Sequence, residues 1–252
     1  MNQDSAEPIE SEVGSSGRRV AFFGGSFDPP HMGHLAVARA ARTALALDTV
    51  LFAPVGAQPL KPQGSTASFE DRLAMTQLAV ADEPGFAVSL ADAPKPSGAP
   101  NFTLETLLRL RAELQPGGAL FCLMGADSFF ALRHWHRAAE IPFAAPLIVA
   151  SRPSQPLDGL MAGLPEGLTM ESLPQKSLND CGVEVRSSIL FNSAGGRTPF
   201  YLLPGLHVEI SASEIRAQIR DLVYETPAPA GSGQALLPSS VLDYIRSRGL
   251  YR

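Results

Sequence analysis

The segment Gly24-Gly-Ser-Phe-Asp-Pro-Pro-His-Met-Gly-His34 joins a glycine pair to a helix start that carries two histidines. That combination suits a phosphate ligand. Amides in a tight turn and at a helix N-terminus are expected to face outward without partners. An anion placed there gains hydrogen bonds and sits at the favourable end of the helix dipole. The turn residues Gly24, Gly25, Ser26 and Phe27 would supply these donors, and Gly33 would let a ligand approach the backbone. His31 and His34 are three apart and share one helical face. Nearby phosphate oxygens favour the imidazolium form, so each ring becomes a cationic donor able to neutralise charge on a departing group.

A second anion feature stands late in the chain. Ile210-Ser-Ala-Ser-Glu-Ile-Arg216 puts the hydroxyls of Ser211 and Ser213 before a helix whose first turn holds Arg216, a guanidinium that can fork onto phosphate oxygens. Pairing Arg216 with Glu214 or Asp221 on the surface would add little stability. A cation in a first helical turn opposes the dipole and gains most when an anion is bound. Two such segments together suggest a nucleoside triphosphate. Zinc is the competing reading of His31-x-x-His34, but a site needs a third ligand, and only Asp28 is near in sequence. Phosphate is favoured.

These residues need a scaffold. Arg19-Val-Ala-Phe-Phe23 reads as a strand stopped by Gly24-Gly25, residues 31–47 as a helix, and Val50-Leu-Phe-Ala-Pro54 as a second strand. Strand, helix and strand within about 35 residues is a parallel crossover. Ser68 with Asp71 resembles a capping box, opening a helix with Phe69, Leu73, Thr76 and Val80 on one face. Residues 86–90 suggest a strand, and Asn101 a cap for a helix burying Leu104, Leu107, Leu108 and Leu114. The apolar runs 119–124 and 146–150 suit interior strands of a parallel sheet. Residues 155–176 read as loop, with short extended pieces at 183–186, 189–191 and 200–203. Helices are expected from Ser211 or Ser213 to about Val223, and from about Pro238 to Arg248, stopped by Gly249. The pattern predicts a doubly wound α/β domain over 19–252 behind a disordered acidic tail, 1–18.

Composition narrows the function. The 252 residues are 45% hydrophobic and 18% charged, with net charge −5, so no long-range positive field draws the chain to a nucleic acid. No run approaches the roughly 20 apolar residues that span a bilayer, and the first residues lack the basic and apolar regions of a secretory signal. The two cysteines, Cys122 and Cys181, are too few for a disulfide framework, and a reducing cytoplasm is expected. A G-x-G-x-x-G dehydrogenase fingerprint and a G-K-[ST] P-loop are both missing. His134 and His136, flanking Trp135, read as part of a solvated loop around one anchoring aromatic.

In order and type, the chain from residue 19 onward resembles the H-x-G-H nucleotidyltransferases. Among them it is most similar to the bacterial nicotinate-nucleotide adenylyltransferases of NAD biosynthesis. The likeness rests on Gly24 to His34, the Lys61 loop, Asn101-Phe-Thr103, Gly125-Ala-Asp-Ser128, Trp135, Ser151-Arg-Pro153, Ile210 to Arg216, Leu236-Leu-Pro238 and Gly249-Leu-Tyr-Arg252. Several short pieces in one order are far more specific than any alone.

The resemblance implies a Rossmann-like nucleotidyltransferase fold and transfer of AMP from ATP, carried as its Mg²⁺ complex, to nicotinate mononucleotide. It gives His31, His34 and Arg216 the catalytic charges. Gly125, Asp127 and Ser128 would line the ATP ribose, with Arg152 beside the adenine. Lys61 would lie near the phosphates, Thr103 and Leu104 at the nicotinate carboxylate, and Trp135 on the pyridine ring. It leaves homo-oligomerisation open. Relatives acting on nicotinamide mononucleotide or phosphopantetheine, and a nucleotide-binding regulator without turnover, are the alternatives. The chain departs from the pattern at Leu60, where relatives often have histidine, and over 172–205.

Overall fold

The structure is a computed structural model of the chain. The residues described are 17–60, 64–151, 159, 163–173, 183–205, 215–217 and 236–252. In chain order the elements are β1 (Arg19–Gly25), α1 (Met32–Ala44), β2 (Thr49–Pro54), α2 (Phe69–Val80), β3 (Phe86–Val88), α3 (Thr103–Glu113), β4 (Ala119–Gly125), α4 (Ala126–Ala131), α5 (Ile141–Ala144), β5 (Leu147–Ala150), β6 (Leu168–Ser172), β7 (Arg186–Asn192), β8 (Arg197–Leu203) and α6 (Ser239–Arg248). They form an eight-stranded sheet ordered β3-β2-β1-β4-β5-β8-β7-β6. The first six strands in that order run parallel, and β7 is antiparallel to both β8 and β6.

Alternation within the central strands explains why both faces are covered. Val20 and Phe22 of β1, with Leu120, Cys122 and Met124 of β4, meet Leu104 and Leu107 of α3 and Phe129 of α4 on one face. Ala21 and Phe23, with Phe121 and Leu123, meet Leu35, Ala38 and Ala41 of α1 on the other. A period of two along each strand thus feeds two apolar layers. A third cluster joins Met75 and Ala79 of α2 to Ile215, Leu237 and Val241 and Ile245 of α6.

The order reverses between β1 and β4: the chain leaves β1 toward β2 and β3, then returns to β1's other side. Connections diverge there and open a crevice at the carboxyl ends of the strands.

Several expectations shift. In α2 the buried residues are Arg72, Met75, Thr76, Ala79 and Val80 rather than a stripe led by Phe69 and Leu73, because Arg72 turns inward to bind backbone carbonyls. In α3, Leu108 faces solvent while Thr106 is buried by its bond to Asp92. Asn101 does not cap α3. Its Oδ1 accepts from Ala57 N–H at 3.1 Å and its Nδ2 donates to Ala93 O at 3.1 Å, tying two loops together. Part of the stretch read as loop is β6, whose sequence Leu-Thr-Met-Glu-Ser is a strand because β7 pairs with it. Residues 215–217 are helical, and the rest of the helix expected there lies outside the described residues, as do residues 1–16. Gly249, with φ 61°, ends α6 in the left-handed conformation. Among the described residues no helix is long and apolar enough to cross a membrane.

Candidate active site

The turn after β1 is held from several sides. The strand runs on through the glycine pair expected to stop it, pairing Gly24 with Ala53 and Gly25 with Pro54, and a Cβ at Gly24 would stand 2.8 Å from the Phe22 ring. Phe27 has φ 46°, unusual for a residue with a Cβ, and its ring is buried edge-on to Phe23 at 5.6 Å and to His34 at 4.9 Å. Beneath the turn the buried Arg72 guanidinium donates to Ser26 O at 2.6 Å, Val55 O at 2.8 Å and Ala67 O at 3.3 Å. Gln58 Nε2 donates to Ser26 Oγ at 2.9 Å. These bonds hold the backbone and the hydroxyl of Ser26 in place beside the strand ends.

The two histidines are stacked, ring centroids 3.7 Å apart. His31 N–H donates to His34 Nδ1 at 3.1 Å, and Met32 N–H donates to Leu236 O at 3.0 Å. Two amides expected to be open at the helix start are therefore engaged within the protein. Burial, with the neighbouring His31, holds His34 well below the ordinary imidazole value. The imidazolium form expected from the sequence thus requires an anion to draw the proton in.

Arg216 reaches this turn from the far end of the chain. Its Nη1 donates to Asp28 O at 2.7 Å and lies 4.0 Å from Asp28 Oδ2. The Asp28 carboxylate, offered by the sequence as a third zinc ligand, instead accepts from Thr66 N–H, Ala67 N–H and Tyr251 Oη–H. The late cation thus bonds to the turn that leads into the early histidines.

Beside it, at the carboxyl ends of β1 and β4, lies a cavity of about 420 Å³. Gly24, Gly25 and Ser26, Thr103, Asp127 and Ser128, and Trp135 all line it, over a floor that includes Phe22 and Cys122. It can take a flat ring against Trp135, with hydrogen-bonding groups at the strand ends.

Of the ligand-contacting residues expected from sequence, then, seven line one cavity, and Arg216 bonds to the adjoining turn that leads into His31 and His34. Gly125 is the N-cap residue of α4, with Asp127 in its first turn. The Leu104 side chain is core, and Gly33 is buried in α1. Lys61, Arg152, Ser211 and Ser213 lie outside the described residues.

Sequence reasoning missed other parts of this wall. His134 and His136, read as solvated loop, line the cavity, and the His136 ring packs 4.5 Å from that of Phe102. Alternating His-Trp-His beside Asn101-Phe-Thr103 was the available signal. Asp92 also lines it and accepts from Thr106 Oγ1 at 2.5 Å. Burial pushes its carboxyl above the usual range, against the opposing effects of Thr106, Arg109 and Lys95. Burial, then Asp92, push the Cys122 thiol up to about 12, so this cysteine is a packing residue and not a nucleophile.

The chain is similar to known proteins over most of its length. Residues 22–218 match the cytidylyltransferase-like family. A probable nicotinate-nucleotide adenylyltransferase of Gloeobacter violaceus is 35% identical over 235 residues, 93% of this chain and 97% of the relative. Another, of Stenotrophomonas maltophilia, is 37% identical over 242 residues, 92% of this chain and 96% of the relative. Among solved structures, Plasmodium falciparum nicotinic acid mononucleotide adenylyltransferase complexed with NaAD matches the fold with TM-score 0.62 at 16% identity, covering 93% of this chain and 97% of that one. A β1–α1 turn bearing His31-Met-Gly-His34 at the switch point of a mostly parallel sheet, together with these full-length likenesses, places the chain in the cytidylyltransferase-like nucleotidyltransferase family, within the group of the probable bacterial nicotinate-nucleotide adenylyltransferases.

Proposed function

We propose that the protein transfers AMP from Mg²⁺·ATP to nicotinate mononucleotide, giving nicotinate adenine dinucleotide and pyrophosphate. One observation carries the reading: Arg216 stands 2.7 Å from the carbonyl of Asp28, on the turn that leads into His31 and the first turn of α1 with His34, beside a cavity lined by Trp135 and Thr103. A polyphosphate gripped at the turn and a ring held in the cavity are thereby neighbours. The relatives at 35% and 37% identity point to the same reaction.

In this reading an oxygen of the mononucleotide's 5′-phosphate attacks the α-phosphorus of ATP in line. The bond from that phosphorus to the bridging oxygen breaks, and pyrophosphate leaves with the electron pair. The chain forms no covalent bond. His31, His34 and Arg216 donate to the oxygens on which charge develops, and amides of Gly24, Gly25, Ser26 and Phe27 cradle the phosphates, with Gly33 behind them. Gly125, Asp127 and Ser128 orient the ribose. Lys61, Arg152, Ser211 and Ser213 are assigned by likeness to the phosphates, the adenine and the late helix start. Trp135 stacks on the pyridine ring, while Thr103 and the Leu104 amide face its carboxylate. N–H donors lacking an acceptor partner disfavour the NH₂ of the carboxamide analogue. The paucity of cysteine and the reaction's substrates support a cytoplasmic setting.

The test is pyrophosphate release from ATP, Mg²⁺ and either mononucleotide. Release with the nicotinate form, and a kcat/KM at least tenfold lower with the amide, is expected. No release with nicotinate mononucleotide would remove the function; a faster rate with the amide would change only the acceptor.

A further inference from the structure

Asp28 is 4% exposed, and three segments remote in sequence meet on it. Its Oδ1 accepts from Tyr251 Oη–H at 2.7 Å and from Ala67 N–H at 3.1 Å. Its Oδ2 accepts from Thr66 N–H at 2.6 Å, and its carbonyl oxygen accepts from Arg216 Nη1 at 2.7 Å. Pro29 and Pro30 follow directly, and then His31. Proline rings lock φ, so a shift of Asp28 passes to His31 with few torsions free to absorb it.

Tyr251 is the penultimate residue of the sequence. Its ring packs on the cluster of Met75, Ile215, Leu237 and Val241. Its backbone has φ 63°, a left-handed conformation that a residue with a Cβ keeps only where the surroundings impose it. Burial, and then the bond to Asp28, push the phenol pKa up, so the hydroxyl remains a donor throughout the neutral range. A strained chain end, a packed ring and a buried acceptor all converge on one hydrogen bond.

We propose that Tyr251 is a positioning residue for the transfer, its hydroxyl fixing Asp28 and through it the arrangement in which His31 and Arg216 meet the triphosphate. This rests on the reaction proposed above. Because the bond sets the placement of groups that act on developing charge, its loss should lower kcat more than it weakens substrate binding. The C-terminal unit would thus contribute to turnover as well as to packing.

Tyr251→Phe keeps the ring and removes only the hydroxyl. Tyr244→Phe is the matched control: Tyr244 Oη donates to Asp71 Oδ1 at 2.9 Å, and the residue belongs to the same C-terminal cluster. Both variants are compared with the wild-type chain by pyrophosphate release and by melting temperature. The expected result is a kcat about tenfold lower in Tyr251→Phe, KM for both substrates within about twofold, and a melting temperature like that of Tyr244→Phe, which keeps wild-type kcat. Wild-type kcat in Tyr251→Phe, or equal losses in both variants, overturns the proposal. A cycle with Asp28→Asn guards against a purely structural effect: the double variant should lose little beyond the larger single loss, and additive losses overturn the coupling. Absence of pyrophosphate from the wild-type protein removes the transfer reading itself, a result distinct from wild-type turnover with an unaltered Tyr251→Phe.

Discussion

At the residue scale the stacked His31 and His34 show how environment sets chemistry. His34, lowered by burial and by His31, favours its neutral form near pH 7, and a bound polyphosphate favours the protonated one. Binding of ATP should therefore take up protons, and affinity should rise as pH falls from 8 toward 6. Calorimetry in two buffers of different ionisation enthalpy reads this directly, and buffer-independent heats at pH 7 would refute it. The stability sign follows from the same shift. Below pH about 6.5 the unfolded chain binds a proton that the folded chain refuses, so the contribution is complete above that pH and is lost toward the lower folded value. Both histidines were legible in the sequence because the pair and its spacing are local. Asp92 was not, and neither was the place of His134 and His136 in the cavity wall, since their nearness to Thr103 exists only once the β3–α3 and α4–α5 segments meet over β4.

At the element scale, α2 carries more than its own packing. Arg72 fills a buried position with a guanidinium that satisfies the carbonyls of Ser26, Val55 and Ala67. Arg72→Met would leave buried acceptors without donors and should destabilise the protein by about 3 kcal/mol or more. Arg39, paired with Glu83 on the surface, is the contrast, and Arg39→Met should cost under about 1 kcal/mol. Urea unfolding measures both, and similar costs would contradict the assignment. Ser68 capping α2, accepting from Asp71 N–H at 3.0 Å, was legible because a cap is a contact three residues long. The inward turn of Arg72 was hidden, because hydrophobic periodicity treats arginine as an outward residue. The β6–β8 edge was only partly legible for a similar reason. Its strands owe their form to pairing partners, and their own sequences alternate weakly.

At the scale of the whole molecule, three late segments of the chain close on the early turn between β1 and α1 and on the start of α1. Leu236 O takes the first amide of α1, Tyr251 holds the Asp28 carboxylate, and Arg216 rests on the Asp28 carbonyl. If Arg216 supplies charge at the triphosphate, Arg216→Ala should lower kcat by about a hundredfold or more, and Arg216→Lys should recover only part, because ammonium lacks the planar fork. Steady-state pyrophosphate release checks this, and near-wild-type kcat in Arg216→Ala would dissolve the proposed grip. The residue types around the glycine turn, the alternation of strands and helices from β1 to β4, and the two apolar faces of β1 and β4 were all determined by the sequence itself. Backbone preference and periodicity act over a few residues. The switch point between β1 and β4, the cavity wall of Asp92 and His136, and the meeting of Tyr251 with Asp28 were decided only by tertiary structure. Contacts between residues far apart in the chain depend on how whole layers pack, and no local pattern encodes that distance.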